Sequence, residues 1–358
     1  MYIEFLDLQN FRNYERQTIR LHRGVNIFYG KNAQGKTNIL EAVYLAGTSR
    51  SHKGSKDREM IRKGEEESHI RMDLVRGQTS HRIDIHLKRN KTKGIAIDRI
   101  PVKKASELFG IASLVFFSPE DLNIIKSGPS ARRRFINFEL CQIDKVYLNA
   151  LGDYTKCLQQ RNKLLKDMEN SEERSAELDV WDMQLLRFGS EIIRRRAAFI
   201  EDLNRETSQI YHDLTNKTEE LVLKYEPNTS EKSFEVDLAL SRERDLRYGE
   251  THVGPHRDDL AVLIDGMDSR IYGSQGQQRS AALSLKLAEI RMIREYTGDT
   301  PVLLLDDVLS ELDSDRQNQL LGSITGIQTL ITCTGLDDFV QNHFEADTVF
   351  HVESGHLT

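Results

Sequence analysis

The amino-acid sequence predicts an α/β fold that is assembled from both ends of the chain, with a mainly helical lobe inserted between them. Strand-like runs alternate with helices near both ends, whereas apolar residues in the middle recur at helical spacing. A phosphate-binding motif between a strand and a helix supports the same class. We expect lobe I, the α/β part, to comprise residues 1–120 and 251–358, and lobe II, the helical part, to comprise residues 121–250.

The composition agrees with a folded protein of this size. The chain has 358 residues, 38% of them hydrophobic and three of them cysteine, which excludes a disordered polymer and a small disulfide-stapled domain. The three cysteines lack the spacing of a metal site, and no apolar stretch approaches the roughly 18 residues that span a bilayer. The N-terminus also lacks an export signal. We therefore expect a cytoplasmic protein with reduced cysteines.

In the first 120 residues, strand patterns surround one helix. Residues 25–29 form an apolar run that ends at a glycine, and a helix signal follows at 37–45. Turn residues separate three short strands within 69–100, which favours a small antiparallel group. The predicted strands are 1–8, 17–21, 25–29, 69–75, 81–88 and 94–100, with a further apolar run at 112–117.

From about residue 129 to residue 210 the apolar pattern is helical. The polar segment 170–175 interrupts it, so we expect antiparallel helices joined there. Alternating strands and helices return after it. The predicted elements are strands at 221–225, 233–238, 260–264, 302–305 and 329–332, and helices at 277–296 and 314–321.

Charge is distributed unevenly along the chain. Fifty basic and 56 acidic side chains give a formal net charge of −6. Residues 50–104 nevertheless carry sixteen Lys and Arg against eight Asp and Glu, and residues 126–166 form a second basic block that includes Arg132, Arg133 and Arg134. Such a block is either a solvated face or an oriented surface for a polyanion such as nucleic acid.

The strongest motif is GKNAQGKT, Gly30 to Thr37, which matches the phosphate-loop pattern G-x-x-x-x-G-K-[ST]. It follows a strand and opens a helix, so backbone N–H groups can face a phosphate chain. We predict that Lys36 reaches the β- and γ-phosphates of ATP and that Thr37 places its hydroxyl on Mg²⁺. Gly30 and Gly35 permit close backbone approach. The predicted nucleotide contacts in this segment are Gly30, Lys31, Asn32, Ala33, Gln34, Gly35, Lys36, Thr37 and Asn38.

Two consecutive acids, Asp306 and Asp307, follow the apolar run at 302–305. A buried strand of an α/β sheet delivers such residues to its carboxyl end, where ligands collect. We predict that Asp306 holds Mg²⁺ and that Asp307 is the general base for the attacking water. Lys36, Asp306 and Asp307 are therefore the predicted catalytic residues.

A third segment places Gly273, Ser274 and Gly276 directly before a helix, whose positive end can face an anion. Such a cluster is often only a helix cap. In a chain that already contains a phosphate loop, it predicts a second contact to phosphate.

These three segments, in this order, resemble the ATP-binding-cassette ATPase superfamily. The sequence Ser274 to Gln277 stands in place of its signature, and Ser310-Glu311-Leu312-Asp313 looks like its D-loop. Further blocks are similar to the RecF family of bacterial recombination mediators. These blocks are LQNFRNY at 8–14, GKNAQGKTN at 30–38, FFSPEDL at 116–122, GPSARRRF at 128–135, HVGPHRDDL at 252–260 and LLLDDVLSELD at 303–313.

The resemblance implies an ATPase head with a mixed sheet and an ATP-dependent homodimer. The dimer would bind double- and single-stranded DNA at gaps and junctions during replication, repair and the SOS response to DNA damage. It would load recombinase with RecO- and RecR-type partners. Arg12 and Tyr14 would line the nucleotide pocket, and Asn32 would lie near the γ-phosphate. The residues acting across the dimer would be Ser274, Gly276 and Gln277.

Three positions depart from the superfamily pattern. Asp307 replaces the usual glutamate, and Thr334 lies near the place of the switch histidine. No glutamine lies near Phe117, although Glu120 is close enough in sequence to substitute. We therefore expect weak, DNA-dependent ATP hydrolysis, with ATP acting as a clamp that turnover releases.

The resemblance and the charge pattern together predict a DNA surface on the first basic block. Arg132 to Arg134 are either a second set of DNA contacts or residues of an interface. The predicted DNA contacts are Lys53, Lys56, Arg58, Lys88, Lys91 and Lys93.

Three other functions share parts of this pattern. A transporter ATPase subunit needs a glutamate at position 307 and has no use for the basic block. A chromosome-organising ATPase of the Rad50 or SMC kind has the same head chemistry, but its coiled coil is longer than the roughly hundred residues inserted here. A small-molecule kinase would leave the segment at Ser274 without a role. An ATP-gated DNA-binding dimer uses every motif.

Overall fold

The computed structural model describes residues 1–167, 172–309, 312–335 and 346–358. The chain divides into unit 1, Met1–Asp121 with Glu289–Thr358, and unit 2, Leu122–Ala288. Both ends of the chain thus fold together around an insertion. The insertion extends beyond the predicted residue 250, because strand residues 259–264 pair with strand residues 221–226 and keep this part of the chain in unit 2.

The helices and strands follow one another in this order. The first part of unit 1 contains β1 (Tyr2–Phe11), β2 (Tyr14–Arg20), β3 (Val25–Tyr29), α1 (Lys36–Thr48), α2 (Asp57–Met60), β4 (Glu67–Arg76), β5 (Thr79–Lys88), β6 (Lys91–Ile97), β7 (Ile100–Pro101) and β8 (Leu114–Phe117), with 3₁₀ turns at Ala105–Leu108 and Pro119–Asp121. Unit 2 contains α3 (Leu122–Lys126), α4 (Pro129–Ile143), α5 (Lys145–Lys166), α6 (Glu172–Leu214), β9 (Leu221–Glu226), α7 (Phe234–Leu240), α8 (Arg242–Tyr248), a 3₁₀ turn at Pro255–Arg257, β10 (Asp259–Ile264), β11 (Met267–Asp268) and α9 (Ser269–Tyr272). After α10 (Gln275–Thr297) come β12 (Val302–Asp306), α11 (Ser314–Ile324), β13 (Thr329–Cys333), β14 (Thr348–Glu353) and β15 (His356–Leu357).

Unit 1 contains two six-stranded sheets. One is antiparallel, with strand order β2-β1-β4-β5-β6-β7, and the other has the order β15-β14-β3-β13-β12-β8 and is parallel except at β15. The parallel strands β8, β12 and β13 are almost wholly buried, as their continuous apolar sequences require. Helix α1 packs on strands of both sheets, so Ile39, Leu40 and Val43 are fully buried. This packing fixes the loop that precedes α1.

Unit 2 is built around two long helices. Helices α5 and α6 pack along each other, and α6 also packs on β9 of a small antiparallel sheet, β11-β10-β9. Arg161 and Arg196 on these helices are fully buried and pair with Asp245 and Asp258. Because a buried charge is costly unless it is paired, these ion pairs restrict where the helices can lie.

The predicted strand at 233–238 is wrong, because the structure forms helix α7 there. Phe234 and Leu238 are buried, whereas Val236 and Leu240 are 59% and 78% exposed. The apolar residues alternate in sequence, but only every fourth one faces the core, which is the helical period. Of the loop predicted at 170–175, residues 170 and 171 lie outside the described residues, and α6 already begins at Glu172.

The predicted strand at 94–100 is divided by a turn at Asp98 and Arg99, which separates β6 from β7. The remaining predicted strands and helices are found with shifts of a few residues at their ends. Among the described residues, no helix is both long enough and apolar enough to cross a bilayer.

Candidate nucleotide site and signature loop

The phosphate loop connects β3 to α1 at the carboxyl end of the parallel sheet. Gly30 and Gly35 have left-handed φ values of 153° and 114°. A Cβ at Gly30 would lie 2.3 Å from the carbonyl oxygen of Val352 in strand β14. Glycine is therefore required at position 30 because strand β14 packs closely against it. The exposed tip of the loop, which a ligand can reach, consists of Lys31, Asn32 and Ala33.

Side chains on the flanks hold this loop in shape. Asn13 donates through its amide to the carbonyl oxygen of Gln34 at 2.8 Å and accepts from the amide of Asn38 at 2.8 Å. The Gln34 amide oxygen accepts from the backbone N–H of Ser354 at 2.7 Å. Gln34 and Asn38 are therefore engaged with the protein, and their contact with a nucleotide stays a prediction.

Lys36 is the first residue of α1, and its buried ammonium donates to the carbonyl oxygens of Gly30 at 2.6 Å and Lys31 at 3.0 Å. Phosphate oxygens can replace these carbonyl groups as acceptors. Thr37 Oγ1 donates to Asp306 Oδ1 at 2.7 Å, which joins the loop to the end of β12. Because Mg²⁺ prefers oxygen ligands, this pair fits the predicted metal site.

Thr332, which the sequence analysis did not identify, joins the two aspartates. Its hydroxyl donates to Asp306 Oδ1 at 2.8 Å and accepts from the backbone N–H of Asp307 at 3.1 Å. Burial raises the pKa of the Asp307 carboxyl, the Lys36 ammonium opposes this, and the charge of Asp306 adds to it. A carboxylate with a raised pKa is a better proton acceptor, which agrees with the predicted role as a general base.

Arg12, in the turn between β1 and β2, and Tyr14, the first residue of β2, contact α1 and the loop. Tyr14 is buried, and its hydroxyl donates to the carbonyl oxygen of Gly35 at 3.0 Å. Arg12 forms two hydrogen bonds, of 2.7 and 2.8 Å, with the buried carboxylate of Glu41 on α1. Burial opposes the charge of Glu41, but hydrogen bonds from Arg12 and Ser51 hold its pKa below the usual value. Direct contact of Arg12 and Tyr14 with a nucleotide stays a prediction.

His52 is a partly buried residue of unit 1 whose two ring nitrogens are inaccessible to solvent. Its ring stacks on Phe116 with the centroids 4.2 Å apart, and its nitrogens have no hydrogen-bond partner among the described residues. Burial lowers the pKa of His52 to about 4, although nearby Glu41 and Asp306 oppose this. The imidazole is therefore neutral at pH 7. No sequence motif surrounds His52, so its position could not be predicted from the sequence.

The predicted signature residues form the start of α10 in unit 2. The backbone N–H of Ser274 donates to Gln277 Oε1 at 2.8 Å, and the backbone N–H of Gln277 donates to Ser274 Oγ at 3.2 Å. This reciprocal pair is a capping box, which fixes the helix start. Ser274 is exposed, and Gly276 and Gln277 are partly exposed, so a ligand can reach this turn.

The other motifs of the C-terminal part are described only in part. Ser310 and Glu311 of the predicted D-loop lie outside the described residues, whereas Asp313 caps α11 by accepting from the backbone N–H of Arg316 at 3.0 Å. Thr334 is exposed directly after β13, and Glu120 is exposed in the 3₁₀ turn Pro119–Asp121 that follows β8.

All six predicted DNA contacts have exposed or partly exposed side chains. Lys93 differs, because its ammonium donates to the carbonyl oxygen of Ser49 at 2.8 Å and to Asp57 Oδ1 at 2.9 Å. Its charge is already paired within unit 1, so the structure favours a supporting role for Lys93 over contact with DNA. The five accessible residues are Lys53, Lys56, Arg58, Lys88 and Lys91.

The second basic set requires a correction. Arg132 is buried and forms two hydrogen bonds, of 2.7 and 2.8 Å, with Asp259. Arg133 donates to the carbonyl oxygen of Asp258 at 2.6 Å. Because these contacts lie within unit 2, Arg132 and Arg133 hold α4 against the start of β10, and only Arg134 is exposed.

The segment HVGPHRDDL also has a structural role. His256 Nε2 lies 2.9 Å from the carbonyl oxygen of Thr251, and His256 Nδ1 lies 2.7 Å from the Tyr154 hydroxyl. Because a carbonyl oxygen only accepts, Nε2 carries the proton and Nδ1 accepts from Tyr154. Burial lowers the pKa of His256 to about 4. Asp258 accepts hydrogen bonds from Arg196, at 2.7 Å, and from the Tyr225 hydroxyl.

The chain is similar to known proteins over nearly its whole length. Residues 2–357 match the family described as the RecF/RecN/SMC N terminal domain. The chain is 56% identical over 357 residues to the DNA replication and repair protein RecF of Agathobacter rectalis, covering 100% of this chain and 99% of that protein. The RecF protein of Lachnoclostridium phytofermentans is also 56% identical, over 355 residues, with 99% of each chain covered.

Two solved structures, a RecF protein and an Smc head domain, have a fold similar to that of this chain. The recombination mediator protein RecF with ATP, from the RecFOR pathway, superposes with a TM-score of 0.92 at 37% identity over 100% of this chain and 97% of that chain. The Smc head domain of Pyrococcus furiosus superposes with a TM-score of 0.58 at 16% identity, over 100% of this chain and 95% of that chain, which shows a common fold alone. The predicted α/β ATPase head with an insertion is thereby confirmed.

Proposed function

Because the chain belongs to the RecF family of DNA replication and repair proteins, we propose that it is an ATP-dependent DNA-binding protein that dimerises on ATP at single-strand gaps and junctions. The observation that carries this proposal is the phosphate loop, in which Lys36 is buried and Thr37 is hydrogen-bonded to Asp306. A relative solved with ATP supports the choice of nucleotide. The protein acts in the cytoplasm and helps to load recombinase with RecO- and RecR-type partners.

The chain's own residues account for slow ATP hydrolysis. The loop backbone and Lys36 would bind the phosphates, and Thr37 and Asp306 would hold Mg²⁺, which would compensate the charge on the phosphate oxygens. Asp307 accepts the proton of the attacking water, and its raised pKa favours that step. Its side chain is one methylene shorter than the usual glutamate, so we expect weak, DNA-dependent turnover.

The signature turn at the start of α10 serves a second copy of the chain. Ser274, Gly276 and Gln277 present a hydroxyl group and the positive end of a long helix, which suits the γ-phosphate held by the partner's loop. Beside this turn, Ile271 and Tyr272 are 60% and 67% exposed. Burial of these apolar side chains between two copies would favour association.

The five accessible basic residues of unit 1 form the proposed DNA surface. Lys and Arg bind phosphate groups with release of counterions, so affinity falls steeply as salt rises. Replacement of Lys53 and Lys56 by Glu should weaken binding to duplex and gapped DNA and reduce the salt dependence. Replacement of Lys156, whose side chain is 68% exposed in unit 2, should change binding far less. Equal losses in both variants would contradict the proposed surface.

Sedimentation velocity with and without nucleotide and a short gapped duplex tests the central proposal. We expect a dimer with Mg²⁺ and ATP, a monomer with ADP, and tighter DNA binding by the ATP form. Ser274→Arg should prevent dimerisation while the monomer still binds ATP. A chain that stays monomeric at saturating ATP with every DNA, or a Ser274→Arg variant that loses ATP binding, would contradict the proposal.

A further inference from the structure

The signature glutamine is held by a residue outside every motif. Gln277 Nε2 donates to Glu219 Oε1 at 3.0 Å, and Glu219 Oε2 accepts from the Tyr211 hydroxyl at 2.5 Å. Tyr211 is fully buried on α6, and Glu219 is partly exposed, two residues before β9. A chain of side chains therefore connects the end of the long helix to the start of α10.

We propose that Glu219, itself held by Tyr211, is a positioning residue that orients Gln277 and thereby presents Ser274 to the ATP bound by a second copy. This inference rests on the proposed function. Glu219 does not touch ATP in this arrangement and acts through Gln277.

The chemistry of the glutamine amide explains how Glu219 orients Gln277. The oxygen and nitrogen ends of a glutamine amide have almost the same shape, so hydrogen bonds alone decide which way the group turns. A carboxylate only accepts, so Glu219 requires the NH₂ end of Gln277 to face it. The oxygen end then faces the backbone N–H of Ser274, at 2.8 Å. The second bond of the capping box uses Ser274 Oγ as an acceptor, which leaves its hydroxyl proton for a phosphate oxygen.

Hydrogen bonds hold the segment that carries Glu219 at both ends. Asn216 and Lys217 adopt left-handed φ values of 51° and 65°, and the backbone N–H of Lys217 donates to the carbonyl oxygen of His212 at 2.8 Å. On the other side, Glu220 and Asp265 exchange two hydrogen bonds of 2.9 Å, from the Glu220 N–H to the Asp265 carboxylate and from the Asp265 N–H to the Glu220 carbonyl oxygen. A carboxylate on such a fixed turn can set the angle of the amide that it binds.

Three variants separate positioning from a general structural effect. Glu219→Ala removes the acceptor for Gln277, Glu219→Gln keeps one amide oxygen for it, and Glu220→Ala is a matched control that removes an exposed carboxylate at the next position. Each variant is assayed in the full chain for ATP-dependent dimerisation by sedimentation, for ATP binding by a fluorescent analogue, and for thermal unfolding.

We expect Glu219→Ala to weaken the ATP-dependent dimer by about tenfold or more, the loss typical of one hydrogen bond to a charged group. ATP binding by the monomer should stay near that of the wild type, whereas the unfolding temperature should fall because the buried Tyr211 hydroxyl loses an acceptor. Glu219→Gln should recover most of the loss in dimerisation, and Glu220→Ala should behave as wild type. Dimerisation of Glu219→Ala equal to that of Glu220→Ala, or a Glu219→Gln variant no better than Glu219→Ala, overturns the inference.

Ser274→Arg makes the two proposals distinguishable. If the wild type dimerises with ATP and Ser274→Arg does not, the proposed function stands and the Glu219 variants decide the positioning role alone. If the wild type stays monomeric with ATP, or if Ser274→Arg still dimerises, the signature contact across the dimer is wrong and the inference about Glu219 is overturned with it.

Discussion

Replacement of His256 by glutamine should make unit 2 less sensitive to acid. The imidazole donates from Nε2 to the carbonyl oxygen of Thr251 and accepts at Nδ1 from the hydroxyl of Tyr154. A glutamine amide can supply the same donor and the same acceptor, but it does not titrate. The variant therefore removes a proton-binding group while it retains the neighbouring contacts.

The shift in the pKa of His256 determines how the stability of the protein changes with pH. The folded-state pKa of His256 is about 4, below the ordinary value of 6.5, so the unfolded chain binds the proton more tightly. The stabilisation that the neutral imidazole contributes to the folded protein is complete above pH 6.5 and is lost as the pH falls from about 6.5 to about 4. Between pH 7 and pH 5 this group alone should lower the free energy of unfolding by about 2 kcal/mol.

Urea unfolding at pH 7 and pH 5 measures this loss. Trp181 is the only tryptophan of the chain and lies on α6 in unit 2, so its fluorescence reports unfolding of the unit that contains His256. The wild type should lose about 2 kcal/mol more than His256→Gln over this interval, because all other titrating groups are common to both proteins. An equal loss in the two proteins would refute the buried neutral imidazole.

Three further substitutions test other parts of the structure. Arg196→Met leaves the buried carboxylate of Asp258 without its cation and should reduce the free energy of unfolding by about 3–5 kcal/mol, measured by urea unfolding. Gly30→Ala places a Cβ 2.3 Å from the carbonyl oxygen of Val352 and should abolish binding of a fluorescent ATP analogue. Lys36→Arg should keep ATP binding within about threefold but reduce steady-state phosphate release by about tenfold or more, because the bulkier guanidinium does not fit the carbonyl cradle of the loop.

Matched controls exist for the changes at Arg196 and Gly30. Arg194→Met removes an arginine whose side chain is 58% exposed on the same helix, and it should cost less than about 1 kcal/mol. Gly322→Ala, in α11, meets no atom within 4 Å and should leave ATP binding intact. Similar effects in test and control variants, or normal turnover by Lys36→Arg, would contradict the assigned roles.

Local sequence was sufficient to predict the nucleotide-binding elements. The strand before Gly30 is mostly apolar, the strand before Asp306 is a continuous apolar run, and both motifs are contiguous, so no tertiary information was needed. Thr332 could not be found in this way. It reaches Asp306 because β12 and β13 pair in a register that places these two residues opposite each other, and a strand pattern does not specify its partner's register.

The predicted DNA contacts show a second reason why the site could not be predicted fully from the sequence. Sequence counts charges but does not show which of them are already paired. Lys93 and Arg132 belong to basic blocks, yet each is bound to an aspartate distant in sequence, Asp57 and Asp259. Glu219 could not be predicted either, because its role depends on the contact between a turn and a helix start 58 residues later.

The order of strands in the parallel sheet has a consequence for biosynthesis. Strand β3, which leads into the phosphate loop, lies between β13 and β14, and these strands are encoded after residue 328. A ribosome that has translated Tyr29 must therefore add some three hundred residues before either neighbour exists, which takes about 15–60 seconds at bacterial elongation rates. Throughout this interval the nascent polypeptide carries an apolar strand with both edges unpaired, and chaperones would need to shield it until the last strands emerge.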